Sequence, residues 1–317
     1  MSQKLNARIA IVIPTYNSSS TIAHTLQSLM AQREYLQRIS TVFIADDNSS
    51  DDTLNIVRTT WESAIPLQIL ESSLNRGERD NINRTVDLIC NQMDWMLILH
   101  SDDVVKPNWL ELILHRIGVC DSTVGSICSS WDEWLPDGTI IAGEDNIARP
   151  VEVIRADSAA VRSTLMRGCW WHVSGCAIRL KAFQQVGRFN PDMPQLGDWD
   201  WLLRCLGSGW SVEYLPRTLI RYRQHQASVS SVSFRTDRDL RESLVIVAQY
   251  SHLFIGSQLL FWHVRRSSFC VRRLARAVMR LDLARCRLCL KTLALVTQNY
   301  LRLREASSTR NPGEIDC

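Results

Sequence analysis

Three acidic clusters stand where carboxylates are costly. Asp46-Asp47-Asn48-Ser49 closes the apolar run Val42-Phe43-Ile44-Ala45, and Ser101-Asp102-Asp103 closes Met96-Leu97-Ile98-Leu99. Gly197-Asp198-Trp199-Asp200 opens an apolar helical stretch. A carboxylate at the end of a buried strand is unfavourable unless it meets a cation or hydrogen-bond donors. In an open α/β sheet the strand carboxyl ends are also where ligands bind. Repeated acids there point to one site holding a metal ion, a phosphate-bearing ligand and a base. An ionised Asp46 can accept the imide N–H of a pyrimidine ring. Asp102 and Asp103 suit a hard divalent cation, because Mg2+ or Mn2+ takes only one or two carboxylates plus phosphate oxygens and water. Asp198, flanked by aromatics, can remove a proton from a hydroxyl group. Arg221, Arg223 and His225 suit a diphosphate whose charge grows as it departs. Helix capping is the ordinary alternative. It accounts for Asp51 or Asp52, but not for two adjacent acids directly on a strand end.

The elements that must position these residues alternate. Ile9–Pro14 is an apolar, β-branched run that reads as a buried parallel strand, followed by a loop and a helix from Thr21 to about Gln32. Strands follow at Thr41–Ala45, Leu67–Glu71 and Met96–Leu99, with helices at about Thr53–Trp61, Arg79–Cys90 and Pro107–Ile117. Four strand–helix alternations predict a mainly parallel, Rossmann-like α/β sheet with helices on both faces. From Gly125 the pattern changes. Ser126–Trp131 and the turn Pro136-Asp137-Gly138-Thr139 suggest a hairpin, and Arg149–Trp171 reads as irregular or weakly helical. Helices are expected at Ile178–Val186 and Asp198–Leu206, and short strands at Val212–Leu215 and Leu219–Tyr222. After Ser233 the chain reads as helical, with a disordered end from Ser308.

The net charge of +3 divides unevenly. Residues 1–234 carry 21 Lys+Arg and 26 Asp+Glu, a balance of −5, whereas residues 235–317 carry 15 and 7, a balance of +8. A basic tail favours an acidic partner such as an anionic membrane surface. Phe254, Leu259, Leu260, Phe261 and Trp262 beside Arg265, Arg266, Arg272, Arg273 and Arg276 are what an interfacial helix needs. The longest uncharged stretch near the tail, Leu253–Val264, is too short to span a bilayer. The first residues do not read as a signal peptide, so a cytoplasmic protein is expected, peripheral on the inner face of the cell membrane, with its ten cysteines reduced. Cys286 and Cys289 have no second pair with which to complete a zinc site. No nucleic-acid partner is expected.

The ordered set of segments resembles the family 2 glycosyltransferases. The matching pieces are Ile11–Asn17, Ala45–Asp51, Asn75-Arg76-Gly77, Leu99–Asp103, Val186–Asn190, Gly197–Arg204 and Arg221–His225, together covering about residues 7–231. The resemblance implies a GT-A fold over residues 1–234, with 235–317 as a basic helical extension. It implies an inverting transfer from a nucleotide sugar, a UDP-sugar foremost, to a hydroxyl of a glycan or lipid-linked acceptor, as in cell-surface polysaccharide biosynthesis, with Mn2+ or Mg2+ as cofactor. Asp46 would bind the base, with Pro14, Tyr16 and Asn17 lining the same pocket. Asp103 and Asp102 would hold the metal, and Asp198 would be the catalytic base. Arg221, Arg223 and His225 would close near the diphosphate. Two positions depart from the family pattern. His100 stands where many members have the first Asp of the metal motif, and Gly197 where many have Glu before the catalytic Asp. The alternatives are a nucleotidyltransferase acting on sugar phosphates and a non-catalytic sugar-binding relative. A Gly-rich basic loop after the first strand would favour the former, and Thr15–Ser20 contains neither Gly nor Lys.

Overall fold

The computed structural model describes residues 7–226 and 228–308. The first half alternates as expected: β1 (Ile9–Thr15), α1 (Ile22–Met30), β2 (Thr41–Asp46), α2 (Thr53–Thr60), β3 (Leu67–Glu71), α3 (Glu78–Ile89) and β4 (Trp95–Ile98). Then come β5 (Val104–Val105), α4 (Trp109–Val119), β6 (Val124–Trp134), β7 (Ile140–Ile141), β8 (Glu152–Ile154), α5 (Ser158–Arg167), β9 (Ala177–Arg179), α6 (Leu180–Val186), α7 (Gly197–Gly207) and β10 (Ser211–Arg223). The remainder is helical: α8 (Val229–Thr236), α9 (Arg238–Gln249), α10 (Gln258–Met279) and α11 (Leu283–Ser308).

The sheet order is β3-β2-β1-β4-β9-β6-β10-β5. The pairs β3–β2, β2–β1 and β1–β4 are parallel, so the exits of β1, β2 and β4 share one edge. Every residue of β1 is buried. Ile9, Ile11 and Ile13 pack with Ile22, Leu26 and Trp109 on one face, while α3 lies against β1 and β2. A strand covered on both faces loses its polar alternation, which is why it reads as a continuous apolar run.

Three expected elements differ. The helix expected from Ile178 starts at Leu180, because Ala177–Arg179 forms β9, wedged antiparallel between β4 and β6. The run is too short for periodicity to separate strand from helix. The two short strands expected near Val212 and Leu219 are one strand, β10, whose register shifts on β6 around Leu215, Thr218 and Ile220. Arg149–Trp171, expected to be irregular, contains β8 and α5. The hairpin expected after Gly125 is present as β6–β7. Gly175, in the loop before β9, has φ +84°, and a Cβ there would lie 2.3 Å from the Ile220 side chain.

The chain divides into two compact units, one running to Ala160 and resuming over Cys169–His225, the other made of Val161–Gly168 and the chain from Gln226. The boundary expected at 234/235 falls inside α8. The end expected to be disordered begins at Ser308, the last residue of α11; the rest of it lies outside the described residues. In the second unit Trp262 is buried, donates from Nε1 to Leu165 O at 3.2 Å and carries Arg266 over its ring at 4.6 Å. Arg273 pairs with Asp237 and Asp239. Trp262, Arg266 and Arg273 are therefore packing residues rather than the interfacial face that the sequence suggests. Around the turn from α10 to α11, Met279 is 78%, Leu281 86% and Leu283 72% exposed.

Asp237 is fully buried and accepts from Arg273 Nη1 at 2.7 Å, Arg285 Nη2 at 2.6 Å and Thr292 Oγ1 at 3.0 Å. Removing Asp237 takes the carboxylate from Arg285 and leaves Arg273 with Asp239 alone, and breaking a buried pair costs about 3–5 kcal/mol. Asp237→Ala is expected to lower the urea midpoint of the second unit by a corresponding amount, read by circular dichroism. An unchanged midpoint would show that the cluster contributes nothing.

Candidate active site

β2 delivers Asp46 and Asp47 to the sheet edge with opposite fates. Asp47 accepts from the backbone N–H of Arg76 at 3.0 Å and of Gly77 at 2.7 Å. It therefore ties the turn before α3 to the end of β2, a structural duty that explains one of the two adjacent acids. Asp46 accepts from Ser49 N at 2.9 Å through Oδ2. Its Oδ1 is buried and makes no hydrogen bond to a described residue. An ionised oxygen in that state needs a donor from a ligand. Asn17, at φ 45°, accepts from Ser50 N at 2.8 Å and donates its own N–H to Ser49 Oγ at 2.9 Å, locking the β1 and β2 exits together. Tyr16 is half exposed beside it. Pro14 is buried within β1 and pairs in register with Ala45.

β4 delivers the second cluster. Asp103 is fully buried, and its Oδ1 accepts from Arg223 N at 3.0 Å. Its Oδ2 is buried and makes no hydrogen bond to a described residue. Burial, then the neighbouring Asp102, pushes the Asp103 carboxyl well above the usual range. Asp102 Oδ2 lies 2.9 Å from His225 Nε2, and Asp102 O accepts from Arg223 Nε at 2.9 Å. Arg223 stacks on Trp134 at 3.9 Å, and its Nη2 is buried without a hydrogen bond. β10 thus brings Arg223 and His225 onto the acidic exit. Arg221 is exposed, and no contact among the described residues brings it to that cluster.

His100, Asp102 and Asp103 offer ligand atoms that all lie within 4.8 Å of one another. The Asp103 Oδ2, which makes no hydrogen bond to a described residue, and the adjacent Asp102 carboxylate fit a divalent cation. His100 was expected only as a lost acid that leaves the cation to Asp103. Instead its Nδ1 lies 3.8 Å from Asp103 Oδ2, and its Nε2 lies 3.4 Å from Glu78 Oε1. Burial opposes the imidazolium, but Glu78 outweighs it and holds His100 up at about 9. Burial likewise opposes the Glu78 carboxylate, and His100 and Arg79 bring it down to about 2. Glu78 and Arg79 were missed by sequence reasoning as site residues; two charged residues opening a helix read as an exposed first turn. His172 behaves oppositely, lowered to about 4 by burial and then by His100. It stacks on Trp131 at 4.9 Å and meets Tyr222 edge-on at 5.0 Å.

α7 delivers Asp198. The helix is fixed by Trp201, which is buried, donates to Gly187 O at 3.1 Å and stacks on Trp171 at 5.5 Å. Asp200 pairs with Arg204 at 2.8 Å and is structural. Asp198 accepts from Trp199 N at 2.8 Å and faces Arg79 Nη2 at 4.0 Å. Burial raises its pKa, with Arg79 opposing.

Residues 10–141 match the protein-family profile described as glycosyl transferase family 2. Over residues 10–141 the chain therefore carries the signature of the family 2 glycosyltransferases. An uncharacterized glycosyltransferase of Haemophilus influenzae is 22% identical over 233 residues, 73% of this chain and 74% of that protein. Five further curated relatives are covered over only 18–38% of their length. Among solved structures, S. aureus TarS residues 1–349 in complex with UDP-GlcNAc align over 94% of this chain and 83% of that one, with TM-score 0.64 and 14% identity. The mannosyltransferase PcManGT from Pyrobaculum calidifontis, in complex with GDP-Man and Mn2+, aligns over 95% and 86% with TM-score 0.58 and 16% identity. These likenesses give the chain its GT-A fold, and the family match favours a glycosyltransferase over a nucleotidyltransferase.

The two neighbouring acids separate the site from its scaffold. Asp46→Asn is expected to weaken nucleotide binding by calorimetry with little change in unfolding midpoint. Asp47→Ala should lose about 1–3 kcal/mol of stability, because it leaves the Arg76 N–H without its acceptor and the Gly77 N–H with Asn75 Oδ1 alone. The reverse pattern would interchange the two roles.

Proposed function

We propose that this glycosyltransferase moves a sugar, with inversion, from a nucleoside-diphosphate sugar to a hydroxyl of a glycan or lipid-linked acceptor in cell-surface polysaccharide assembly. The observation that carries the reading is the pair of orphaned carboxylate oxygens, Asp46 Oδ1 and Asp103 Oδ2, at two neighbouring strand exits. One suits the base of a nucleotide and the other a cation beside its phosphates. A UDP-sugar is the preferred donor, because Asp46 can accept the ring imide N–H of uracil. The complexes of TarS and PcManGT support a nucleotide-sugar donor, and the printed name of TarS, a poly(ribitol-phosphate) beta-N-acetylglucosaminyltransferase, supports a polymeric acceptor.

In this mechanism Asp46 orients the base, with Pro14, Tyr16 and Asn17 around it. Asp103 and Asp102 would hold Mn2+ or Mg2+, which when bound neutralises charge on the leaving diphosphate. Arg223 and His225 hold the cluster's carboxylates in place, and the unpartnered Arg223 Nη2 can donate to a phosphate oxygen; Arg221, exposed on the same strand, would join them on closure. Asp198 takes the acceptor proton as the hydroxyl attacks the anomeric carbon from the face opposite the diphosphate. Burial raises the Asp198 pKa, so the active ionised form is lost at a higher pH than an ordinary aspartate would show. The acid limb of the kcat/KM profile should therefore lie above the usual carboxylate range.

Asp198→Asn is expected to keep donor affinity and to lower kcat by about 10²–10⁴-fold, read as nucleoside diphosphate released from UDP-N-acetylglucosamine or GDP-mannose in Mn2+. Near-normal turnover would remove Asp198 as the base.

We also infer a cytoplasmic, peripheral location on anionic membrane. The +8 balance of residues 235–317 and the exposed Met279, Leu281 and Leu283 support it. Among the described residues, no helix is long and apolar enough to cross a membrane. The full chain should co-sediment with phosphatidylserine vesicles and not with neutral ones, and Leu281→Asp should reduce binding. Equal partition on both vesicle types would end this reading.

A further inference from the structure

We infer that Glu78 and Arg79 are positioning residues for the transfer, a charged bridge that holds the base carboxylate against the cation cluster. The inference rests on the assignment of Asp198 above and adds the device that orients it.

The observation is a continuous run of alternating charge. Asp103 Oδ2 lies 3.8 Å from His100 Nδ1, and His100 Nε2 lies 3.4 Å from Glu78 Oε1. Glu78 Oε1 in turn lies 3.1 Å from Arg79 Nη1, and Arg79 Nη2 lies 4.0 Å from Asp198 Oδ1. One dipeptide at the start of α3 thus reaches both the cluster on the β4 exit and the acid on α7. Arg79 is 5% exposed, with its guanidinium 5.4 Å from the Phe189 ring centroid, and its Nε and Nη1 make no hydrogen bond to a described residue. A cation this deeply placed is costly unless carboxylates surround it. Here they do, on two sides.

Gly197 gives a second, independent observation. A Cβ at that position would stand 3.2 Å from Arg79 Nε, 3.5 Å from Arg79 Cδ and 3.3 Å from Asn190 O. The Arg79 side chain therefore takes up the space that any side chain at 197 would need. His100 and Gly197 are the two positions where the chain departs from the family pattern, and the Glu78-Arg79 pair touches one and packs against the other.

Positioning predicts a kcat effect rather than a KM effect, since misplacing a reacting group by about 1 Å costs on the order of 100-fold in rate. On the nucleotide sugar that the wild-type chain turns over, Arg79→Ala should lower kcat by about 100-fold, with donor KM within about twofold. Arg79→Lys should recover part of the rate, because it restores the charge without the planar fork. The packing claim is read separately, by a double-mutant cycle on the unfolding midpoint. Gly197→Ala should destabilise the wild type and cost clearly less in the Arg79→Ala background, a non-additivity expected only of residues in contact. A raised donor KM with unchanged kcat would make Arg79 a donor contact and overturn the inference. So would unchanged kinetics in Arg79→Ala, or an additive cycle. Normal turnover in Asp198→Asn would instead remove the base assignment, leaving the packing cycle to stand or fall by its own result.

Discussion

The site depends on what a buried carboxylate requires. At the sheet edge, Asp46, Asp47 and Asp103 are all nearly inaccessible to water, and each must be answered by donors or a cation. Asp47 is answered fully from within, by the N–H groups of Arg76 and Gly77. That bond fixes where α3 begins, and so where Glu78 and Arg79 stand. Asp46 and Asp103 are answered only in part, each keeping one oxygen without a hydrogen bond. Complete satisfaction makes scaffold and incomplete satisfaction makes a binding site; the difference lies in a few donors, not in residue type.

The charges around these acids are arranged as a sequence rather than a pool. His100 is held protonated by Glu78, and Glu78 is held ionised by His100 and Arg79. His172, ring-stacked close by, stays neutral. Two histidines with centroids 6.2 Å apart therefore carry different charge, set by whether a carboxylate is in reach. Asp198 stands at the far end, where burial raises its pKa and Arg79 restrains the rise. A base needs that compromise, ionised yet still proton-seeking.

The helical extension follows the same rule in the second unit. Asp237 gathers Arg273, Arg285 and Thr292 in its interior. Arginines that look in sequence like a membrane-facing set are partly consumed by this cluster and by stacking on Trp262. What remains exposed and apolar includes Leu260 and Phe261 on α10 and the turn between the last two helices.

The sequence by itself determined the parallel strands, the acids at their exits and the order of the family segments, because burial on both faces and strand-end carboxylates leave local signatures. It also offered Asp198 as a candidate, through the resemblance of Gly197–Arg204 to the family's segment rather than from its place at the opening of a helix. The tertiary structure alone decided which of Asp46 and Asp47 was scaffold, that Ala177–Arg179 was a strand, and that Arg223 and His225 but not Arg221 met the acidic exit. It alone joined Glu78-Arg79, more than a hundred residues upstream, to Asp198 and Gly197. The reason is physical: a strand's burial is written in its own side chains, whereas the partner of a buried charge is chosen by distance in space, and periodicity along a chain carries no record of it.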